Sequence, residues 1–237
     1  MDLPLYPGAT RWCGEIEVLV ASSTWSADAA SAGLPPGSQL VGLDEAGRGP
    51  LAGPVVAAAC AIPWPCPDAL LKLDDSKRLS QTTRETLFDA VLAHAVGFGI
   101  AIVEPSVIDT VNILRASLWG MAVAWDQAVT MRPALRGAIA LTDGKTLAPL
   151  PPEVLQQALI KGDGRSRNIA AASILAKVTR DRIMVNYDAK YPAYGFAGHK
   201  GYPTKAHFAA LAEHGPCAIH RRSFRLGGPK SDKTTDG

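Results

Sequence analysis

Cysteine is scarce in this 237-residue chain, and the four present, Cys13, Cys60, Cys66 and Cys217, make no CxxC pair. That spacing excludes a zinc site or a disulfide framework as the basis of the fold, and free thiols suit a reducing compartment. An excess of charge is missing too, with 24 basic against 22 acidic side chains. The near balance excludes a strongly basic or acidic chain but not a nucleic-acid enzyme, because clustered carboxylates can hide a basic face in the sum. Met1-Asp2-Leu3-Pro4 lacks the basic and apolar regions of a signal peptide. Residues 49–67 carry no charge, but Pro50, Pro54, Pro63, Pro65 and Pro67 would break a membrane-spanning helix. A buried strand between turns is expected there, in a soluble, cytoplasmic, monomeric protein that avoids membranes.

Hydrophobic residues make up 47% of the chain, enough for a core in one sizeable domain or at most two small ones. Residues 1–37, with Ala21-Ser22-Ser23-Thr24 and Pro35-Pro36-Gly37, read as a flexible extension, and 227–237 as a disordered polar tail. Between them the periodicity alternates. Strands are expected at Leu40–Leu43, Val55–Ile62, Gly97–Val103, Ile139–Thr142 and Ala158–Ile160, in a sheet covered on both faces. Thr82 and Glu85 suggest a capping box ahead of an apolar face of Leu87, Phe88, Val91 and Leu92. Further helices are expected over Val107–Asp126, over Ile169–Arg182, where Ala170-Ala171-Ala172-Ser173 implies close packing on a flat surface, and over Thr204–His214 with Thr204 as N-cap. The pattern is a mixed α/β domain with helices at its C-terminal end.

Four acids fall at or just beyond strand ends: Asp44 and Glu45 after Leu40–Leu43, Asp143 after Ala140-Leu141-Thr142, and Asp163 after Leu159-Ile160-Lys161-Gly162. Any one of them alone is more often a turn former or a helix cap. Gathered together they would repel one another unless cations neutralised them, and all-oxygen ligands suit Mg²⁺ or Mn²⁺ rather than zinc. Two such ions about 3.5–4 Å apart serve in-line phosphodiester cleavage, one activating water and the other stabilising the leaving oxygen, with no histidine base needed.

The segment Asp44-Glu45-Ala46-Gly47-Arg48-Gly49-Pro50-Leu51-Ala52-Gly53-Pro54-Val55 resembles the opening signature of type 2 ribonucleases H, the bacterial HII group in particular. Six further stretches follow in that family's order: 75–80, 112–114, Asp143-Gly144, Lys161-Gly162-Asp163, 169–181 and 199–204, with His220-Arg221-Arg222-Ser223-Phe224 closing the series. The resemblance spans about residues 39–226, so 38–226 would be the catalytic domain. Thr142 stands where many relatives have an aliphatic residue.

The resemblance implies a ribonuclease H-like α/β fold: a five-stranded mixed sheet flanked by helices, with a helical C-terminal part helping to hold substrate. It implies that Asp44, Glu45, Asp143 and Asp163 bind two divalent ions, Mn²⁺ or Mg²⁺, and carry catalysis. Asp181 is an alternative fourth acid, but late on a helix it can simply pair with a basic neighbour. Gly47, Arg48, Gly49 and Tyr202 would contact the sugars at an RNA–DNA junction, and Lys77 a phosphate. Lys177, Arg180, Lys200, Arg221 and Arg222 are further phosphate candidates, each individually more often a solvated charge. His199 and His220 read as structural or phosphate-contacting. Gln39-Leu40-Val41-Gly42-Leu43 faintly resembles a sliding-clamp peptide, a role its place as first core strand argues against.

The implied activity is endonucleolytic hydrolysis of the RNA strand of RNA–DNA hybrids and incision 5′ of ribonucleotides embedded in duplex DNA. The products would carry 5′-phosphate and 3′-hydroxyl ends. Two alternatives remain: a type 3-like hybrid nuclease poor at single ribonucleotides, and a hybrid-binding protein that does not cut. No protein partner is implied.

Overall fold

The computed structural model describes residues 39–227. The expected extension over 1–37, the tail beyond 227 and Cys13 lie outside them. Cys60, Cys66 and Cys217 are free thiols.

Five strands, β1 (Leu40–Ala46), β2 (Val55–Ala61), β3 (Gly97–Val103), β4 (Ile139–Asp143) and β5 (Gln156–Leu159), form one sheet in the order β3-β2-β1-β4-β5. β1 to β3 form an antiparallel meander, while β4 pairs parallel with β1, and β5 parallel with β4. Every residue of β2 is buried, as the uncharged run predicts. Its alternate side chains serve opposite faces: Ala57, Ala59 and Ala61 one core, Val56, Ala58 and Cys60 the other. Small residues here let helices approach closely on both sides.

Six helices complete the described residues: α1 (Gln81–His94), α2 (Pro105–Val111), α3 (Ile113–Met131), α4 (Arg167–Lys190), α5 (Phe196–His199) and α6 (Lys205–His214). α3 covers one face with Met121, Ala124, Trp125 and Ala128, and α1 with α4 covers the other. The alanine stretch of α4 does lie on a flat surface. A Cβ at Gly42 of β1 would sit 2.1 Å from the Asn168 carbonyl carbon, so only glycine allows the helix this close. No single helix among the described residues is long and apolar enough to cross a membrane.

The structure corrects four boundaries. Ser80, not Thr82, caps α1, its Oγ accepting from Thr83 N at 3.1 Å, while Glu85 turns outward to pair with Arg182. The helix expected over Val107–Asp126 is two, bent by 119° at Asn112, which adopts a left-handed φ of 72° and caps α3 by accepting from Arg115 N. α4 runs eight residues past Arg182, to Lys190. β5 begins at Gln156, two residues before Ala158, and Ile160 lies beyond it, 55% exposed. Two glutamines do not read as a strand, yet their backbones complete the ladder to β4. Thr204 caps α6 as expected, accepting from His207 N at 3.2 Å.

Candidate active site

The site grows out of strand register. The parallel pairing of Leu43 with Thr142 sets the next residues, Asp44 and Asp143, side by side at the carboxyl ends of β1 and β4. Chain connections leave these two strands in opposite directions, β1 toward β2 and β4 toward β5, the place where open α/β sheets form ligand crevices. After β5, Lys161 takes a left-handed φ of 56° and a 3-10 turn, Gly162–Gly164, swings Asp163 back toward them. Asp44, Asp143 and Asp163 thereby bring carboxylate oxygens within 4.8 Å of one another.

Three buried or half-buried carboxylates so close are costly unless something positive joins them. Burial raises Asp44 well above the usual carboxylate range, and Glu45 and Asp143 raise it further, against hydrogen bonds from the Ser173 hydroxyl and Glu45 N. Asp163 is raised by burial and by Asp143, with Lys77 opposing. All-oxygen donors with this spacing fit a hard divalent cation. Glu45 is next to the cluster but outside the set of three. Its Oε1 accepts from Arg48 Nη1 at 3.3 Å. Burial and Asp143 raise it, and Arg48 and Lys77 lower it.

Lys77 reaches the cluster from the loop before α1, its Nζ 3.4 Å from Asp163 Oδ2, while most of its side chain stays in solvent. Burial by itself would depress this ammonium, but Asp163, Asp75 and Asp44 outweigh it and raise it above its ordinary value. Asp181 lies on α4 and accepts from Lys177 Nζ at 2.7 Å, the pairing with a basic neighbour that its sequence position suggests. Burial lowers the Lys177 ammonium despite that partner.

Beside the acids, the Gly47-Arg48-Gly49 loop faces Tyr202, a residue 41% exposed. A Cβ at Gly49 would lie 3.6 Å from the Tyr202 ring, so the two form adjoining walls. Gly47 has φ +101°, and a Cβ there would meet Arg180 Nε at 2.1 Å.

Two of the five phosphate candidates are placed elsewhere. Arg180 and Arg221 are fully buried. Arg180 donates to the carbonyls of Pro54, Lys200 and Ala52, and Arg221 to those of Gly53, Arg48 and Gly47. Burial lowers these guanidiniums to about 10 and about 9, so both stay charged at neutral pH. Arg180 follows Ser173 and Ala176 and precedes Met184 on one buried stripe of α4, a spacing that marks it as interior. No such periodicity surrounds Arg221. Lys200 donates to Ala197 O, and Arg222 remains exposed, its Nη2 on Pro216 O. Lys177 and Lys200 keep partial exposure, and Lys200 lines a small cleft between α1 and α4 with Gln81, Glu85, Asp181 and Arg182.

His199 and His220 are structural, joined by His207, which has no motif to announce it. His207 Nδ1 bonds Tyr202 O at 2.9 Å, so its Nε2 accepts from His220 Nε2, 3.0 Å away. His220 Nδ1 then accepts from Cys217 N, and His199 Nδ1 from Gly201 N, with its ring stacked 4.5 Å from that of His207. Three neutral rings thus hold the backbone beneath Tyr202. The Gln39–Leu43 stretch is committed to the first core strand, which agrees with the argument against a clamp peptide.

A family model described as ribonuclease HII matches residues 41–226. A relative named ribonuclease HII from Syntrophotalea carbinolica is 50% identical over 187 residues, 79% of this chain and 85% of that protein. The ribonuclease H2 structure from Pyrococcus horikoshii superposes with a TM-score of 0.61 at 27% identity, covering 79% of this chain and 94% of that one. A structure of Bst-RNase HIII in complex with Mn²⁺ gives 0.64 at 16% identity over 86% of this chain and 74% of that one, a likeness of fold.

Proposed function

The chain belongs to the ribonuclease HII family, a hydrolase acting on RNA–DNA hybrids, and on that premise we propose that it also incises 5′ of single ribonucleotides in duplex DNA. The products would carry 5′-phosphate and 3′-hydroxyl ends. The observation that carries the reading is the convergence of Asp44, Asp143 and Asp163 within 4.8 Å, beside an exposed wall built from Gly47-Arg48-Gly49 and Tyr202.

In this reading Asp44, Asp143 and Asp163, with Glu45 at their edge, hold two divalent ions, Mn²⁺ or Mg²⁺. When bound, those ions supply an activated water and neutralise charge at the leaving oxygen. Asp44 and Asp143 fix the position of the reacting phosphate through strand register. Asp163 completes the cluster, and Lys77 beside it offsets phosphate charge as the scissile group enters. Arg48, bonded to Glu45 Oε1, opposes the rise that burial gives this carboxyl. Tyr202 packs on the sugar next to the ribose, while the glycine loop brings backbone amides within reach of the 2′-hydroxyl, the group that marks RNA.

A type 3-like nuclease would share the fold but handle a lone ribonucleotide poorly, and the Gly47–Gly49 wall facing Tyr202 disfavours that alternative. A non-cutting binder is disfavoured by the buried acids, which weaken phosphate binding unless cations accompany them. A labelled duplex with one ribonucleotide and a continuous RNA–DNA hybrid, each incubated with and without Mg²⁺ or Mn²⁺, test all three. Metal-dependent incision 5′ of the ribonucleotide is expected. Cutting of continuous hybrid alone would favour the type 3-like reading, and metal-independent binding without cutting the third.

A further inference from the structure

Arg221 is charged, wholly buried and without a carboxylate hydrogen-bonded to it. An ion in that position is costly unless every donor finds an acceptor. Each of its three nitrogens finds one: Nη2 donates to Gly47 O at 2.6 Å, Nη1 to Arg48 O at 3.0 Å and Nε to Gly53 O at 3.0 Å. Two of these belong to the Gly47-Arg48-Gly49 loop itself, a segment whose glycine at 47 leaves the backbone otherwise soft. Arg221 comes from 168 residues and more along the chain, and its own N–H donates to Leu51 O at 2.9 Å.

We propose that Arg221 is a positioning residue for 2′-hydroxyl recognition: its guanidinium pulls the Gly47 and Arg48 carbonyls inward and so aims the loop's amides at the sugar. Among the described residues, the Arg48 and Gly49 N–H groups find no backbone acceptor, so both remain free for a ligand. Arg180 braces the facing wall in the same way. It spans from Ala52 O and Pro54 O to Lys200 O, two residues before Tyr202. The loop and the tyrosine are thus held at fixed separation by two buried guanidiniums that touch no substrate. Lysine cannot take over at 221, because an ammonium on a flexible stem lacks the planar fork that bonds three carbonyls at once. The inference rests on the reading of this loop as the ribose contact.

The test uses full-length Arg221→Gln and Arg221→Lys, the latter retaining the positive charge without the planar fork. Single-turnover cleavage of a one-ribonucleotide duplex with Mn²⁺ gives the maximal rate. Competition by an all-DNA duplex of the same sequence gives binding that ignores the 2′ position. The Mn²⁺-induced rise in thermal midpoint reports the carboxylate cluster. A misaimed loop predicts a fall of about tenfold or more in maximal rate for both variants. All-DNA binding should stay within about threefold, because phosphate contacts dominate it, and the Mn²⁺ shift should be unchanged. A lysine variant cutting like wild type, rate and all-DNA binding falling together, or loss of the Mn²⁺ shift would each overturn the inference. A wild type that leaves the single-ribonucleotide duplex uncut would overturn the parent reading and this inference with it.

Discussion

The backbone N–H of Gly162 donates to Asp143 Oδ1 at 2.7 Å, so the turn that carries Asp163 is anchored on another acid of the same cluster. The bond has two consequences. It uses one lone pair of Asp143 to fix the carboxylate's orientation, leaving Oδ2 directed by default, and it prevents the 162–164 turn from relaxing away from its like-charged neighbour. A Cβ at Gly162 would lie 3.3 Å from that same oxygen and 2.6 Å from Ile169 Cδ1, so the anchor depends on a residue without a side chain. The cluster is held together by packing against its own repulsion, which is how a cation site is preorganised.

Asp44→Asn should therefore be a trade of function for stability. Asparagine keeps an oxygen to accept from Glu45 N and removes the charge that burial and two neighbouring acids oppose. Cleavage should fall by about 10³-fold or more. In chelator the variant should melt above wild type, and Mn²⁺ should raise its midpoint less. A folded variant cutting within about tenfold of wild type would remove Asp44 from the site.

Asp163→Asn and Asp181→Asn should separate the two candidates for the fourth acid. Asp163 is in the cluster, whereas Asp181 is engaged with Lys177 on α4. We expect a loss of about 10²-fold or more at 163 and less than about tenfold at 181, measured as single-turnover rates. The reverse order would transfer the role to Asp181.

The acid response of the metal-free protein has two opposing parts. Burial lowers the imidazole of His220 to about 4 from 6.5, and His207 is lowered as well. The unfolded chain therefore takes up protons that the folded state refuses, and stability falls as pH drops from about 6.5 toward 4. Asp44, Glu45 and Asp163, all raised, contribute stability that is complete below their unfolded values and lost as pH rises through their folded ones. Thermal midpoints from pH 7 to 4 should fall more steeply for Asp44→Asn than for wild type, and less steeply for His220→Gln. Parallel curves for His220→Gln and wild type would refute the histidine assignment.

Thr142 is fully buried on β4 and its hydroxyl finds no hydrogen-bond partner among the described residues. An unsatisfied buried hydroxyl costs about 1–3 kcal/mol, and valine has nearly the same shape. Thr142→Val should raise the thermal midpoint by roughly 2–4 °C per kcal/mol recovered, without altering the cleavage rate. A lower midpoint would mean that the hydroxyl is satisfied in solution.

The legible parts of this protein were those written as local patterns. The uncharged run gave β2, the alanine stretch gave the contact face of α4, and acids near strand ends gave the cluster, although β1 runs on through Asp44 and Glu45 to Ala46, because each depends on near neighbours in sequence. What escaped depends on partners far along the chain. Nothing near Gln156 announces a strand, since β4 supplies its pairing from 16 residues away. Arg221 looks like a surface charge until its bonds to the 47–53 loop are seen. His207 was silent because its meaning lies in its bonds to Tyr202 and His220.

Tyr202→Ala is the sharpest test of how RNA is told from DNA. The ring stands beside Gly49 and 5.9 Å from the Arg180 guanidinium, while its carbonyl is tied to His207 and its N–H to His199 O. The backbone under it is thus fixed by bonds that alanine retains, so the substitution removes the ring and hydroxyl and little else. Binding of a duplex depends mostly on phosphate contacts made elsewhere and should weaken by only about twofold to fivefold. In the proposed reading, incision depends on seating the sugars against the Gly47-Arg48-Gly49 wall, and a site without one wall would leave the 2′-hydroxyl poorly paired and the phosphate misplaced. The single-turnover rate at a lone ribonucleotide should therefore fall by about 10²-fold. Binding and cleavage measured side by side decide the matter: equal losses would make Tyr202 a general anchor, and an unchanged rate would take it out of the site.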